Sequence, residues 1–297
     1  MASVSVDIDG LHLYHRIHGL PEPQGGPSVY ETGVQRFLEL FARHGVRGTF
    51  FVVGEDTADP RARRVLEDAV RAGHELASHS FSHPYDLSLR SPEAIVQELA
   101  RTEEAIAEIA GRRPSGFRAP GYNISPALLN ALRRREYAYD SSAFPCPAYY
   151  LAKAAVIGAY RLRGRPTHSI AGDPRAMFAP RLPYRHSSSG EGLLELPMTV
   201  VPGLRLPVIG TSLIMMGRKG WRLVRRWLQS VSFINVEFHA IDLTDHVGDG
   251  IDDALLSQPD QRVTLDKKLE VFDAVVGDLV RGWDVTPLDR VARLWAD

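Results

Sequence analysis

Short apolar segments alternate with amphipathic segments along most of this chain of 297 residues, and this alternation limits its fold more than any other feature. Apolar runs rich in β-branched and aromatic residues predict strands. These strands are 4–8, 49–53, 75–78, 116–118, 137–140, 193–196, 233–238 and 284–286. Apolar residues at helical spacing predict helices at 33–43, 62–72, 92–110, 126–134, 220–229 and 265–280. Repeated strand–helix units favour parallel strands joined by crossover helices, so we expect an α/β barrel or an open α/β sheet.

Polar residues follow several of the predicted strands directly. They are Asp7, Asp9, His79, His83, Arg118, Asp140 and His239. The active face of an α/β barrel lies at the carboxyl ends of its strands, so this placement favours the barrel over the open sheet.

A His-Ser-Phe-Ser-His segment follows the predicted strand 75–78 and places His79 and His83 four residues apart. Two imidazoles at this spacing project the same way from one helical turn and can share a divalent cation. The alternative is a surface turn in which one histidine caps the helix that follows.

The first predicted strand ends in two carboxylates, Asp7 and Asp9. A buried strand tip rarely carries two acids unless a cation compensates them. We therefore expect one carboxylate to ligate a metal and the other to act as a general base. A pair of solvated acids at a strand terminus is the alternative.

Three later strand ends add candidate residues. Arg118, in a Phe-Arg-Ala-Pro-Gly-Tyr segment, can pair with a site carboxylate, and the amides of Gly121 and Tyr122 can hold an oxyanion. A surface ion pair is the alternative for the arginine. Asp140 begins an Asp-Ser-Ser sequence that is also common in helix caps. His239 ends a late apolar strand and is either a buried core histidine or a general acid.

Charge and cysteine content exclude several classes of function. A formal net charge of −1 gives no electrostatic footprint for nucleic acid or an anionic membrane. Cys146 is the single cysteine, which excludes an internal disulfide and fits a reducing compartment. We find neither a secretory signal nor an apolar run of the roughly 18 residues that a spanning helix needs, so we expect a cytoplasmic protein.

The motifs occur in a characteristic order: Asp-x-Asp, His-Ser-x-x-His, Arg-x-Pro-Gly, Asp-Ser-Ser and a late apolar-x-His. In this order they resemble the polysaccharide deacetylase family with its NodB homology domain (carbohydrate esterase family 4), in the subgroup with Asp-x-Asp in the first motif. The resemblance runs from Val4 to at least His239. It implies a distorted (β/α)7 barrel as a single domain over residues 1–297, with loop insertions near 143–192 and 202–217.

The resemblance also implies an activity and a cofactor. The activity is hydrolysis of the N-acetyl group of an amino sugar, in a polysaccharide, an oligosaccharide or a lipid-linked sugar. The cofactor is one divalent metal ion, for which we expect Zn²⁺, with Co²⁺, Ni²⁺ or Fe²⁺ as alternatives. By position, Asp9, His79 and His83 would ligate this ion, and Asp7 would be the base that activates a water.

The remaining motif residues take supporting roles by the same resemblance. Arg118 would orient Asp7, and the backbone amide of Gly121 would help to hold the oxyanion. His239 would protonate the leaving amine, and Asp140 would tune His239 or Arg118.

Three departures from the commonest family pattern leave the substrate open. Ile8 separates the two aspartates, and Phe144 stands where a tryptophan is usual. The late motif that ends at His239 reads Phe-His where Leu-x-His is usual. An amidohydrolase acting on a formamide, a cyclic imide or a ureide is therefore an alternative, as are a non-catalytic carbohydrate-binding barrel and a structural protein. The apolar insertion 202–217 predicts either a homo-oligomer contact or a lipid-carrying substrate.

Overall fold

The strands of this chain form one curled sheet around a buried interior. The computed structural model describes residues 1–21, 28–162, 164, 170, 172–186 and 192–295. Its strands are β1 (Ala2–Ile8), β2 (Thr49–Val52), β3 (Glu75–Ser78), β4 (Gly116–Phe117), β5 (Tyr139–Asp140), β6 (Tyr184–Arg185), β7 (Leu194–Glu195) and β8 (Ile234–His239). They are ordered β6-β7-β5-β4-β3-β2-β1-β8 across the sheet. All neighbouring strands are parallel except β6 and β7, which are antiparallel.

Helices connect the parallel strands and cover the outside of the sheet. They are α1 (Leu11–His18), α2 (Gln35–Arg43), α3 (Pro60–Arg71), α4 (Pro92–Ala110), α5 (Pro126–Arg134), α6 (Pro147–Leu162), α7 (Gly210–Leu228), α8 (Leu265–Gly282) and α9 (Leu288–Leu294). Their ends follow local chemistry. For example, the Ser91 side chain accepts a hydrogen bond from the Ala94 amide at the start of α4, and Pro92 takes the first helical position.

The prediction of a distorted (β/α)7 barrel is confirmed, because the described residues give seven parallel strands and one short antiparallel strand at the edge. The two sides of the sheet meet without a continuous ladder. The chain leaving β7 contacts β8 through a hydrogen bond from Thr199 N to Asn235 O of 2.9 Å, and Ile209 forms a single parallel bridge with Glu237. These isolated contacts close the barrel irregularly.

The amino-terminal end of the barrel is filled by apolar side chains. Leu288 and Val291 of α9 belong to the same buried cluster as Phe51, Tyr139 and Phe233. The carboxyl-terminal ends of the strands, in contrast, carry a larger group of buried polar and charged residues.

Most predicted boundaries lie within two residues of the structure, but one predicted strand and one predicted helix start differ more strongly. The segment 284–286 forms only a single bridge, between Val285 and Ala2. Helix α7 begins at Gly210, well before the predicted start at 220, because the helix continues across a kink at Gly217, whose φ is +62°. Glycine adopts this conformation without the steric cost that a side chain brings.

The two predicted insertions are partly helical. Within 143–192, residues 147–162 form α6, whereas 163, 165–169, 171 and 187–191 lie outside the described residues. In 202–217, Leu213 and Ile214 pack into the protein core, and the exposed apolar side chains are Leu204, Leu206 and Met215. An oligomer contact or a lipid-carrying substrate stays a prediction. Among the described helices, none combines the length and hydropathy needed to span a membrane.

Candidate active site

The polar residues that follow different strands converge at the carboxyl-terminal end of the barrel. Parallel pairing of β1 with β8 sets Asp7 beside His239. Asp9 lies two residues beyond Asp7, on the same face of the extended chain. The segment after β3 then brings His79 and His83 to these carboxylates.

Asp9, His79 and His83 form a compact group of ligand-type atoms, all within 4.8 Å of one another. The Asp9 Oδ1 atom is 3.5 Å from His79 Nε2 and 3.4 Å from His83 Nε2. The two Nε2 atoms are 3.2 Å apart. All three residues are buried. The sequence prediction that these residues come together is therefore confirmed in its geometry.

The segment that carries both histidines is not a helical turn, so this part of the prediction is wrong. Ser80 and His83 have positive φ values, 64° and 50°, which are unfavourable for residues with side chains. Glu98 of α4 holds the segment in place. Its carboxylate accepts hydrogen bonds from Phe81 N (3.0 Å), Ser82 N (2.9 Å) and Ser82 Oγ (2.8 Å).

The donor set fits a divalent cation. His79 Nδ1 donates to the Arg118 carbonyl oxygen at 2.7 Å, which leaves the Nε2 lone pair facing Asp9. Burial lowers the pKa of His83 to about 4, so this imidazole is neutral, as a metal ligand must be. The buried Asp9 Oδ1 and Asp7 Oδ2 atoms have no hydrogen-bond partner in the described part of the chain. Buried oxygen atoms of this kind require a cation or a proton.

The charges at this site confirm the demand for positive charge. Burial alone would raise the pKa of Asp9, but the neighbouring imidazoles of His83, His79 and His239 hold it well below its usual range. Burial also opposes the protonation of His79, yet Asp7 and Asp9 raise the pKa of this imidazole. The Asp9 carboxylate therefore stays ionised and attracts a cation.

Arg118 is completely buried and is bonded through its whole guanidinium group. Its Nη1 atom donates to Asp7 Oδ1, and its Nε atom donates to the Ser141 carbonyl oxygen at 2.8 Å. Its Nη2 atom donates to Ser5 Oγ (3.1 Å) and Ser141 Oγ (2.9 Å). The guanidinium also lies 4.0 Å above the centre of the Phe51 ring. Arg118 thus holds Asp7 in one orientation, as predicted.

His239 faces the same site from β8. Its Nε2 atom is 3.9 Å from Asp9 Oδ2, and its Nδ1 atom is 3.1 Å from Glu237 Oε1. Glu237 is fully buried and also accepts a hydrogen bond of 2.8 Å from the Tyr122 hydroxyl. Burial opposes the charged imidazole, but Glu237, Asp9 and Asp7 raise the pKa of His239 to about 9. The imidazole of His239 therefore favours its protonated form at neutral pH.

The turn at Gly121 is only partly available to an oxyanion. Tyr122 N donates to the Ala119 carbonyl oxygen at 2.9 Å, so the predicted use of the Tyr122 amide is wrong. Gly121 has a φ of +60°, and an added Cβ would lie 2.9 Å from the Tyr85 ring. The Gly121 amide remains the candidate donor, held in a turn that only glycine fits well.

Asp140 lies in a different cluster from the one that the sequence suggested. Ser142 Oγ donates to Asp140 Oδ1, and Asp140 is grouped with His186 and Glu195. Among the described residues, Glu237 makes the contact with His239 that was predicted for Asp140.

Residues 25–139 match the family model described as polysaccharide deacetylase. The resemblance inferred from the motifs is confirmed. The chain is 28% identical to the peptidoglycan deacetylase of Helicobacter pylori over 116 residues, 38% of this chain and 37% of that protein. The matched part spans less than half the length of the first curated relatives.

Solved structures share the barrel over almost the whole chain. A probable polysaccharide deacetylase from Pseudomonas aeruginosa PAO1 is 14% identical, with a TM-score of 0.60, over 99% of this chain and 90% of that one. The Puue allantoinase is also 14% identical, with a TM-score of 0.61, over 99% and 89%. These similarities establish the fold alone, since structures named for two different reactions share it equally well.

Two residues of the candidate active site were missed in the sequence, Glu98 and Glu237. Periodicity assigns Glu98 to the charged, solvent-facing side of α4, so nothing in the sequence marked it. For Glu237 a signal existed. Asn235, Glu237 and His239 alternate with apolar residues in β8, which indicates a polar barrel interior rather than a wholly apolar strand.

Proposed function

We propose that this protein is a metal-dependent deacetylase that removes the N-acetyl group from an amino sugar within a glycan. The observation that carries this proposal is the convergence of Asp9, His79 and His83 opposite His239 and opposite Asp7, which is paired with Arg118. The match to the polysaccharide deacetylase family model and the similarity to a peptidoglycan deacetylase support it.

Asp9, His79 and His83 would hold the divalent ion. When bound, such an ion supplies Lewis acidity that polarises the amide carbonyl and makes a water molecule more acidic. Asp7 Oδ2 is buried, has no hydrogen-bond partner in the described residues and faces His79 at 3.8 Å. Because Arg118 occupies the other oxygen of Asp7, Oδ2 is the atom that accepts the proton of the attacking water.

His239 would complete the reaction on the leaving side. Amide hydrolysis requires protonation of the departing nitrogen, because an unprotonated amide nitrogen is a poor leaving group. The Nε2 atom of His239 faces the site, while Glu237 fixes Nδ1 and stabilises the imidazolium. The Gly121 amide would donate to the oxyanion. Base and acid therefore approach the scissile bond from two different strands, β1 and β8.

The donor set suits several divalent transition-metal ions. One carboxylate and two imidazoles suit Zn²⁺, and the same set accepts Co²⁺, Ni²⁺ or Fe²⁺. Three protein ligands are the number that catalytic zinc sites use, with a further position for substrate or water. We propose Zn²⁺ as the ion.

The decisive experiment measures products by mass spectrometry after incubation of the Zn²⁺-loaded protein with a panel of amides. The panel contains chitin oligosaccharides, peptidoglycan fragments and N-acetylated sugar nucleotides, together with a formamide, a cyclic imide and a ureide. We expect acetate and a free amino sugar from at least one glycan. Hydrolysis confined to the non-sugar amides would establish the alternative amidohydrolase and overturn the proposal.

Two variants assign the acid and the base. In Asp7→Asn and His239→Gln we expect kcat to fall by about 10²–10⁴-fold, the usual contribution of one proton-transfer group. The matched control is Asp273→Asn, which removes an exposed carboxylate paired with Arg43 on the outside of the barrel. Equal activity in Asp7→Asn and Asp273→Asn would rule out Asp7 as the base.

A further inference from the structure

A second group of ligand-type side chains lies at the carboxyl ends of β5 and β7 and shares no residue with the site at Asp9. It consists of Asp140 at the end of β5, Glu195 at the end of β7 and His186, which follows β6. One ligand-type atom of each residue lies within 4.8 Å of the other two. Asp140 and Glu195 are completely buried, and the side chain of His186 is 11% exposed.

Each carboxylate in this group is fixed through one oxygen. Asp140 Oδ1 accepts a hydrogen bond from Ser142 Oγ, and Glu195 Oε1 accepts one of 2.8 Å from Ala143 N. Glu195 Oε2 lies 3.0 Å from His186 Nε2. Asp140 Oδ2 is fully buried and is reached by no N–H or hydroxyl donor of the described residues, and the Asp140 carboxyl group lies against that of Glu195. The outer hydrogen bonds therefore orient the carboxylates, which is how ligating carboxylates are usually held.

The two carboxyl groups of this cluster lie where water cannot stabilise a negative charge. Burial and the neighbouring Glu195 raise the pKa of Asp140 well above its usual range. Burial raises the pKa of Glu195 to about 7 and lowers the pKa of His186. Two buried carboxyl groups beside a neutral imidazole need either a shared proton or a cation.

We propose that Asp140, His186 and Glu195 form a second divalent-metal site, which takes Zn²⁺ or a similar transition-metal ion. Two carboxylate oxygens and one imidazole nitrogen are a donor set that Zn²⁺ accepts, with water completing the coordination.

An ion at this position has a structural role. It joins the short antiparallel strand β6 to β5 and β7 at the edge of the barrel. It also fixes the chain just before Ser141 and Ser142, whose oxygens accept hydrogen bonds from Arg118 and from Ala119 N. The second ion would therefore support the strand end that positions Arg118.

Metal counting tests the proposal without any activity assay. The protein is stripped with a chelator, dialysed against Zn²⁺ and analysed by mass spectrometry for zinc per chain. We expect two ions in the wild type, one each in His186→Gln and His83→Ala, and none in the double variant. His246→Gln is the matched control, since His246 pairs with the exposed Asp253, and it should keep two ions.

Zinc counts in the two single variants test the two metal sites independently. The ion proposed for the catalytic site is counted in His186→Gln, and the ion proposed here is counted in His83→Ala. If His186→Gln leaves the zinc content unchanged both in the wild type and in His83→Ala, the proposal of a second site is wrong, whatever the zinc count at the first site.

A stability measurement distinguishes an ion from a shared proton. In the His83→Ala background, Zn²⁺ at a hundredfold excess over its Kd should raise Tm by about 4 °C. Adding Asp140→Asn should abolish this rise while circular dichroism shows a folded protein. If the folded His83→Ala protein shows no Zn²⁺-dependent rise, the carboxyl groups share a proton and the proposal is wrong.

Discussion

Replacing Arg118 by methionine tests the central electrostatic contact of the site. The change removes the buried guanidinium that bonds Asp7, Ser5 and both oxygens of Ser141, and it leaves the Asp7 carboxylate without its partner. Breaking a buried ion pair from one side costs about 3–5 kcal/mol of unfolding free energy. For a chain of 297 residues this corresponds to a Tm lower by about 5–8 °C, measured by calorimetry.

The double variant Arg118→Met/Asp7→Asn makes this prediction specific. Removing both charges should recover at least about 2 kcal/mol of the loss, because residue 7 then no longer carries a buried charge without its partner. The control Arg218→Met removes an exposed partner of Glu270 and should change Tm by less than about 1 °C. Strictly additive losses in the double variant would refute a direct coupling between Arg118 and Asp7.

Three further predictions concern metal binding, pH and packing. Asp7→Asn should retain metal and lose most activity, whereas His79→Ala should lose both. If metal analysis shows equal metal loss in the two variants, the roles of base and ligand assigned to Asp7 and Asp9 must be exchanged. Burial raises the pKa of Glu75 to about 7, so the folded protein binds the proton of this carboxyl group more tightly than the unfolded chain does. The free energy of unfolding should therefore fall as pH rises from about 4.5 to 7. Glu75→Gln should flatten that slope in urea titrations at several pH values, and an unchanged slope would contradict it. Gly116→Ala should cost about 1–3 kcal/mol, since its Cβ would lie 2.0 Å from the Tyr139 ring, and a Tm equal to the wild type would show that the ring can move away.

The residues of the site could be predicted from the sequence because each follows a strand. In parallel α/β folds the carboxyl ends of the strands meet at one edge, so residues distant in sequence become neighbours. This reasoning places Asp9, His79, His83 and His239 together, and the structure agrees. It cannot assign Asp140, because position at a strand end does not say which neighbour a side chain faces.

Strand alternation carried more information than motif spacing. Along β1, Ser5 and Asp7 point toward the polar interior, while Val4 and Val6 join the apolar cluster between sheet and helices. The same alternation in β8 marks Glu237 as an interior residue. Period-2 patterns therefore identify which polar residues face the site, and they need only the sequence.

Tertiary structure alone decided the conformation of the residues 79–83 and the partners of the buried charges. The histidines converge through a non-helical segment with positive φ, held by Glu98 from a helix that is distant in sequence. Such a contact depends on how α4 packs against the sheet, and hydrophobic periodicity does not encode it. The sequence determined the alternating architecture and the chemistry at the strand ends, because both follow from local patterns. Packing determined which charges meet, because burial and distance arise only when the barrel closes.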